Sequence, residues 1–422
     1  MSRKKLLRSS EAGESAFRGV STQDPPDTAR FRGHFSAPES PAHRPRRRRG
    51  GRFGMILTRC LQPGNNRSII PAMSTMNYQL LGRSGLRVSD LCLGTMTFGE
   101  DWGWGSSKDE SRKIYEAFRE AGGNFIDTAN IYTNGASERF VGEFIADHRQ
   151  EVVLATKYTN ATPGRDANAA GNQRKSMVQA VEASLKRLGT DYIDLYWLHV
   201  WDQMTPVEEV MRAFDDLVRA GKVLYVGISD APAWVVAKSN TVAELRGWTR
   251  YVGLQIEYSL LERTVERELI PVARDQAMTI LAWSPLRNGQ LTGKYLPESP
   301  ESAAKDARMK TEMMKEIAPF DEASLPTIRE VVAVAKEIGA SPAQVALAWL
   351  RHRPVPVIPI IGARRLSQLE DNIGSLELRL SQEQVDRLDK VSAVSPGFPN
   401  DFMANKFVRA ISSGGLRDRI KA

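Results

Sequence analysis

Between residues 91 and 373, short and almost wholly apolar runs alternate with amphipathic segments, and this alternation restricts the fold more than any other feature of the chain. The apolar runs fall at 91–97, 125–127, 152–157, 193–199, 223–229, 252–258, 279–285 and 357–363. Helices are expected at 108–121, from Ser137 onward, at 174–188 and 206–220, and at about 232–246, 265–276, 326–351 and 367–373. Gly122-Gly123, Gly189 and Gly221 stand where helix C-caps fall, and Pro206 stands at a helix start. Strands this apolar cannot face water on either side, so the class is α/β with a parallel sheet covered by helices. Eight strand–helix units match the closed (β/α)8 TIM barrel. Its competitor, an open dinucleotide-binding sheet, carries G-x-G-x-x-G after its first strand, and no such motif occurs in this chain. The barrel is therefore expected over 76–395. Residues 78–89, two alternating arms around Gly82-Arg83-Ser84-Gly85, should cap it as a β-hairpin, and a long polar loop should follow the seventh strand at about 287–325.

The flanks differ from this body. Residues 1–72 hold 15 of the 58 Lys and Arg but 5 of the 50 Asp and Glu, so the net charge of +8 belongs to the leader and the body is near neutral. That distribution argues against a specific nucleic-acid partner for the body. The leader, to about residue 75, includes Arg46-Arg47-Arg48-Arg49 and shows neither helical nor strand periodicity. It is read as a disordered basic extension, with translation from Met73 or Met76 as the other reading. Residues 396–422 form a separate C-terminal segment. Cys60 and Cys92 make no disulfide framework or metal-ligand spacing, and His148, His199 and His352 supply none to the body. No apolar run approaches the roughly 18–20 residues of a membrane span, and no secretory signal opens the chain. A cytoplasmic protein without a membrane partner is expected, its oligomeric state left open.

Catalytic groups of such barrels sit at the C-terminal ends of the strands. Asp127, Lys157 and His199 end the second, third and fourth runs, and Tyr132 follows in the loop after the second. Each alone has a plainer reading: a helix cap, a solvated strand end, a core histidine, a loop anchor. Together on one rim they make chemical sense. A phenol with a pKa of about 10 is a weak acid at neutral pH. An ammonium beside it stabilises the phenolate, a carboxylate holds the ammonium, and a histidine orients a substrate oxygen. A tyrosine donating a proton to a forming alkoxide is what carbonyl reduction by hydride transfer needs, and hydride needs a nicotinamide cofactor. Gly289-x-x-x-Gly293-Lys294 is one residue too short for a phosphate-loop signature and is followed by Tyr295, so it is rejected as one.

Over about residues 78–390 the chain resembles the aldo-keto reductase family. The resemblance rests on FIDTANIYTNGASE, VVLATKY, LYWLHVWD, VGISD, QIEYSLLER, LAWSPL and IGARRLSQLEDN in family order. It is similar to the bacterial NADPH-dependent oxidoreductase type and to the branch of channel β subunits. The resemblance implies reduction of aldehydes or ketones with the tetrad Asp127, Tyr132, Lys157 and His199, Tyr132 being the proton donor. It further implies that Ser229 and Gln255 bond the nicotinamide carboxamide, with Asp230 where many members have asparagine. Trp283 would stack on the ring, and Thr95, Met96 and Asp127 would line it. Ser284, Pro285, Leu286 and Lys294 would follow the pyrophosphate. Gly362 and Arg364 would meet a 2′-phosphate, and Gln368, Asp371 and Asn372 the adenine. The arginine favours NADP over NAD. A small carbonyl substrate is expected among Trp102, Trp104 and Trp201, beside Tyr132 and His199. Shielding of the hairpin is a second reading for Trp102 and Trp104.

Two other functions compete. A cofactor-binding regulatory subunit of the channel type shares the fold, but such members carry asparagine where this chain has His199. Nucleic-acid binding through the arginine run is confined to the leader by the charge of the body.

Overall fold

The computed structural model describes residues 76–161, 166–297, 316 and 319–420. The expectations for residues 1–75 and for part of the loop at 287–325 lie outside the described residues. Strands β1 (Tyr78–Leu80) and β2 (Arg87–Ser89) form the antiparallel hairpin, with Tyr78 opposite Ser89. Eight parallel strands then close into a barrel: β3 (Cys92–Gly94), β4 (Phe125–Asp127), β5 (Val153–Tyr158), β6 (Ile193–Leu198), β7 (Val223–Ser229), β8 (Tyr251–Glu257), β9 (Thr279–Trp283) and β10 (Val357–Gly362), with β10 pairing β3. The TIM barrel, hairpin and long segment after the seventh barrel strand are thus all present.

The strands bury both faces, as their unbroken apolar runs require. Alternate residues point to the axis, where Cys92, Phe125, Val153, Ala155, Leu195, Trp197, Leu281, Ile358 and Ile360 cluster. Leu81 and Val88 of the hairpin join this cluster, so the hairpin plugs one end. The plug fits closely: Gly82 donates its N–H to Thr279 Oγ1 at 2.8 Å, and a Cβ there would stand 2.1 Å from the Val252 carbonyl oxygen. Trp197 is fully buried at the barrel centre, and Gly227 and Gly253 leave room for its ring.

The outer ring consists of α1 (Lys108–Glu120), α2 (Ala136–Ile145), α3 (Arg174–Leu188), α4 (Val207–Arg219), α5 (Ala233–Arg246), α6 (Leu269–Asp275), α7 (Leu325–Ile338), α8 (Pro342–Arg351), α9 (Leu366–Gly374) and α10 (Gln382–Val391). Ser107 caps α1 by accepting from the Glu110 N–H, and Gly189, at φ 63°, ends α3. Three expectations are corrected. The single helix at 326–351 is two, because Gly339 takes φ 67° and Ser341 with Gln344 forms a capping box ahead of Pro342. The axis turns by 99° there. The helix at 265–276 is a 3-10 turn followed by the shorter α6, and Pro206 is the N-cap of α4 rather than its first residue. Helix α10 and the short, exposed helices α11 (Asn400–Ala404) and α12 (Lys406–Ser412) were not expected. Among the described residues no single helix is long and apolar enough to cross a membrane.

Candidate active site

The inward parity that builds the apolar core continues to the C-terminal rim. Phe125 is followed two residues on by Asp127, Ala155 by Lys157, Trp197 by His199, Leu281 by Trp283 and Ile360 by Gly362. The polar groups are thus the uppermost layer of the inward face, resting on a packed floor. Of the nine described non-glycine residues with positive φ, eight lie in segments leaving strand ends on this rim: Thr133, Asn134, Thr159, Gln203, Asp230, Ser284, Arg287 and Asn288. Backbone conformations of this kind are costly for side-chain-bearing residues and concentrate at functional sites.

Lys157 is the hub. Its side chain is fully buried, and its ammonium pairs with the Asp127 carboxylate and donates to the Thr128 carbonyl at 2.9 Å and to Tyr132 Oη at 3.0 Å. Gln255 Nε2 donates to the other Asp127 oxygen at 3.1 Å. Burial opposes the Lys157 charge, but Asp127 and Tyr132 outweigh it and its pKa is raised. Burial also dominates at Asp127, which is held above the usual carboxylate range despite Lys157 and Gln255. At Tyr132 burial again comes first and raises the phenol, with Lys157 pulling the other way. The lysine thus acts on the phenol with the expected sign, while burial is the larger effect.

His199 follows β6, and its ring meets Tyr132 edge-on with centroids 5.9 Å apart. Burial and then Lys157 push its pKa well down, so the imidazole is neutral. Asn160 Nδ2 lies 3.1 Å from His199 Nδ1, where the amide is the donor; Nε2 then carries the ring proton. Asn160 was not foreseen. It is held by Asn130 Nδ2, which donates to its carbonyl at 3.0 Å, and it follows the strained Thr159.

The residues matched to a cofactor surround this group unevenly. Thr95 is buried and bonds the Asp127 carbonyl at 3.1 Å, with half-buried Met96 beside it. Ser229 Oγ is buried at the end of β7; close enough to Asp230 to lower that carboxyl, it makes no hydrogen bond of acceptable geometry. Asp230 is exposed at the mouth yet crowded by protein, which raises its carboxyl to about 6 against the pull of the bond from Trp283. Trp283 Nε1 donates to Asp230 Oδ1 at 3.0 Å. Ser284, at φ 48°, Pro285 and Leu286 continue the turn, where Arg287 pairs with Glu257. Lys294 lies over the Tyr295 ring, 4.7 Å from its centroid. Gly362 is exposed, with open space where a Cβ would stand, and Arg364 gives its backbone N–H to Gln368 Oε1 at 2.9 Å. The Asp371 carboxylate accepts from Ser341 at 3.0 Å, and Asn372 is buried, so both knit α9 to the body. An orphaned hydroxyl, an open glycine edge and an indole fixed by a carboxylate suit a nucleotide lying across the mouth.

Of the aromatic trio, Trp102 stands edge-on to Tyr132 with centroids 6.4 Å apart and 5.6 Å from Trp104. Trp104 is buried behind it, and Trp201 is half-buried, giving its N–H to the Asp230 carbonyl at 3.2 Å. Among the described residues no group of three or more His, Cys, Asp and Glu is placed to hold a metal ion.

Comparison with known proteins agrees with this geometry. Residues 90–393 match the Aldo/keto reductase family. The norsolorinic acid reductase of Emericella nidulans is 41% identical over 343 residues, covering 79% of this chain and 86% of that protein. The aryl-alcohol dehydrogenase [NADP(+)] of Phanerodontia chrysosporium is 37% identical over 351 residues, covering 78% and 89%. A putative aryl-alcohol dehydrogenase of Saccharomyces cerevisiae is 35% identical over 340 residues, covering 76% and 88%. These relatives are fungal, and they do not carry the narrower expectation of a bacterial type near the channel-subunit branch.

Proposed function

The chain belongs to the aldo/keto reductase family and is an oxidoreductase, and from that premise we propose that it reduces aldehydes or ketones to alcohols with NADPH, Tyr132 giving the proton. The observation that carries this reading is the hydrogen bond from the fully buried Lys157 ammonium to Tyr132 Oη at 3.0 Å. Bound NADPH supplies the hydride. The protein's own groups do the rest. Tyr132 is kept protonated by burial until it is needed, and it gives that proton to the substrate oxygen. Lys157 then stands beside the phenolate it leaves, and Asp127 with Gln255 keeps the ammonium in place. Neutral His199, with its proton on Nε2, offers a donor that orients the carbonyl oxygen.

Ser229 and the Gln255 side-chain oxygen would hold the carboxamide, Trp283 would face the ring, and Arg364 beside the open edge at Gly362 would take a 2′-phosphate. Trp102 against Tyr132 and the names of the relatives support an aryl aldehyde as substrate. We place the enzyme in the cytoplasm with no macromolecular partner required for turnover.

The test is NADPH oxidation with a nitrobenzaldehyde by the purified protein and by Tyr132→Phe. Turnover should fall at least about 100-fold in the variant, the lower end for loss of a positioned acid, while the NADPH dissociation constant changes by less than about threefold. Equal turnover by both proteins would overturn the mechanism. Tight NADPH binding with no turnover of any carbonyl by the native protein would favour the regulatory-subunit reading.

A further inference from the structure

Asp230 occupies a position that its neighbours make unusual. It follows the last residue of β7 at φ 40°, a conformation that Asn and Asp tolerate better than most side chains. Its backbone joins two other parts of the rim: its N–H reaches the Gln255 carbonyl at 3.3 Å, and its carbonyl accepts from Trp201 N–H at 3.2 Å. Its carboxylate accepts from Trp283 Nε1 at 3.0 Å. One residue therefore ties β7, β8, the loop after β6 and the indole at the end of β9. Its charge also reaches the reacting groups. It pushes the Tyr132 phenol upward and is itself pulled down by Lys157.

As a tether alone, Asp230 would need no charge, because an amide oxygen accepts from an indole equally well. The charge adds a discrimination that an amide lacks. An oxidised nicotinamide ring is cationic and a reduced one is neutral, so a fixed carboxylate on the ring's own binding surface attracts one and not the other. The Lys157 charge does not cancel this attraction, because it is already paired with Asp127.

We propose that Asp230 is a specificity-determining residue that favours NADP+ over NADPH through its carboxylate, while its hydrogen bond to Trp283 positions the indole. This rests on the nicotinamide reading above. The consequence for the reaction is that the oxidised cofactor leaves slowly after each reduction.

The experiment titrates NADP+ and NADPH separately against the native protein, Asp230→Asn and Asp230→Ala at pH 8, following tryptophan fluorescence. Asp230→Asn keeps both the backbone tolerance and the acceptor for Trp283 and removes only the charge. It should weaken NADP+ about fivefold relative to NADPH, the size expected for one charge acting through a largely aqueous mouth, and the effect should shrink in high salt. Asp230→Ala should lose the same discrimination and also weaken both cofactors through the freed indole. An unchanged NADP+ to NADPH ratio in Asp230→Asn, with both cofactors bound, overturns the proposal and leaves the reductase reading standing. Failure of the native protein to bind either cofactor overturns the reductase reading instead.

Discussion

Replacing Lys157 by methionine tests the buried pair on which the site depends. The side chain is fully buried, and Asp127 opposite is 2% exposed. Without the ammonium, Asp127 is left with neutral neighbours, Gln255 donating to it at 3.1 Å and the Trp197 indole lying close by. Leaving one member of a buried pair uncompensated costs about 3–5 kcal/mol. The carboxyl can escape part of that cost by keeping a proton. Burial already holds its pKa above the ordinary value, and loss of Lys157, which lowers it, raises it further. The folded-state pKa then exceeds the unfolded one of about 3.9. A group of this kind contributes stability that is fully present below the unfolded pKa and is lost as pH rises through the folded pKa. The deficit of Lys157→Met relative to the native protein should therefore grow as pH rises through the raised Asp127 pKa. Adding Asp127→Asn removes the stranded charge, so the double variant should be more stable than Lys157→Met at pH 8, at a net cost below about 2 kcal/mol. Urea unfolding by circular dichroism, with the slope checked for constancy, measures both. A pH-independent deficit, or a double variant whose loss is the sum of the single losses, refutes the reasoning.

Gly227→Ala would place a methyl 2.2 Å from the Trp197 ring at the barrel centre, and it should cost about 3 kcal/mol; thermal unfolding should show the loss, and Trp197→Leu should cost less in that background than in the native one. Arg364→Ala should weaken NADPH about tenfold or more, the value of a charged hydrogen bond, with NADH changed less than about threefold in the same titration.

The fold was legible because a strand buried on both faces cannot hide its apolar run. The centres of the eight strands follow from that, and β7 matches the expected 223–229. Ends were less legible where the chain bends within an apolar run. The first run was expected at 91–97, but β3 stops at Gly94 because the Phe98 N–H turns back to the Thr95 carbonyl. The break between α7 and α8 was written in Gly339, Ser341 and Pro342, but the continuing helical pattern of apolar residues outweighed it. Helix α10 carries an equally plain Ser381–Gln384 capping box, but it lies after the last strand, where alternation no longer calls for a helix.

The tetrad was legible for the same reason as the core. Asp127, Lys157 and His199 continue the inward parity of apolar residues, so a polar side chain there must face the barrel mouth and find partners. What could not be read was how the neighbouring strands and loops serve them. Gln255, in β8, was matched to a cofactor, yet its amide nitrogen holds Asp127. Asn160 fixes the His199 tautomer from a turn whose strained residue is Thr159, with no glycine to mark it. Asp230 and Trp283 meet although 53 residues separate them. Positive φ at a threonine or a serine leaves no compositional trace, since turn patterns are recognised chiefly by the glycines, asparagines and aspartates that tolerate such angles. The rim accepts that strain at eight non-glycine positions, and relaxing it would move the side chains that hold His199 and Trp283. The loops therefore act as positioning elements, and the chemistry of the strand ends depends on them.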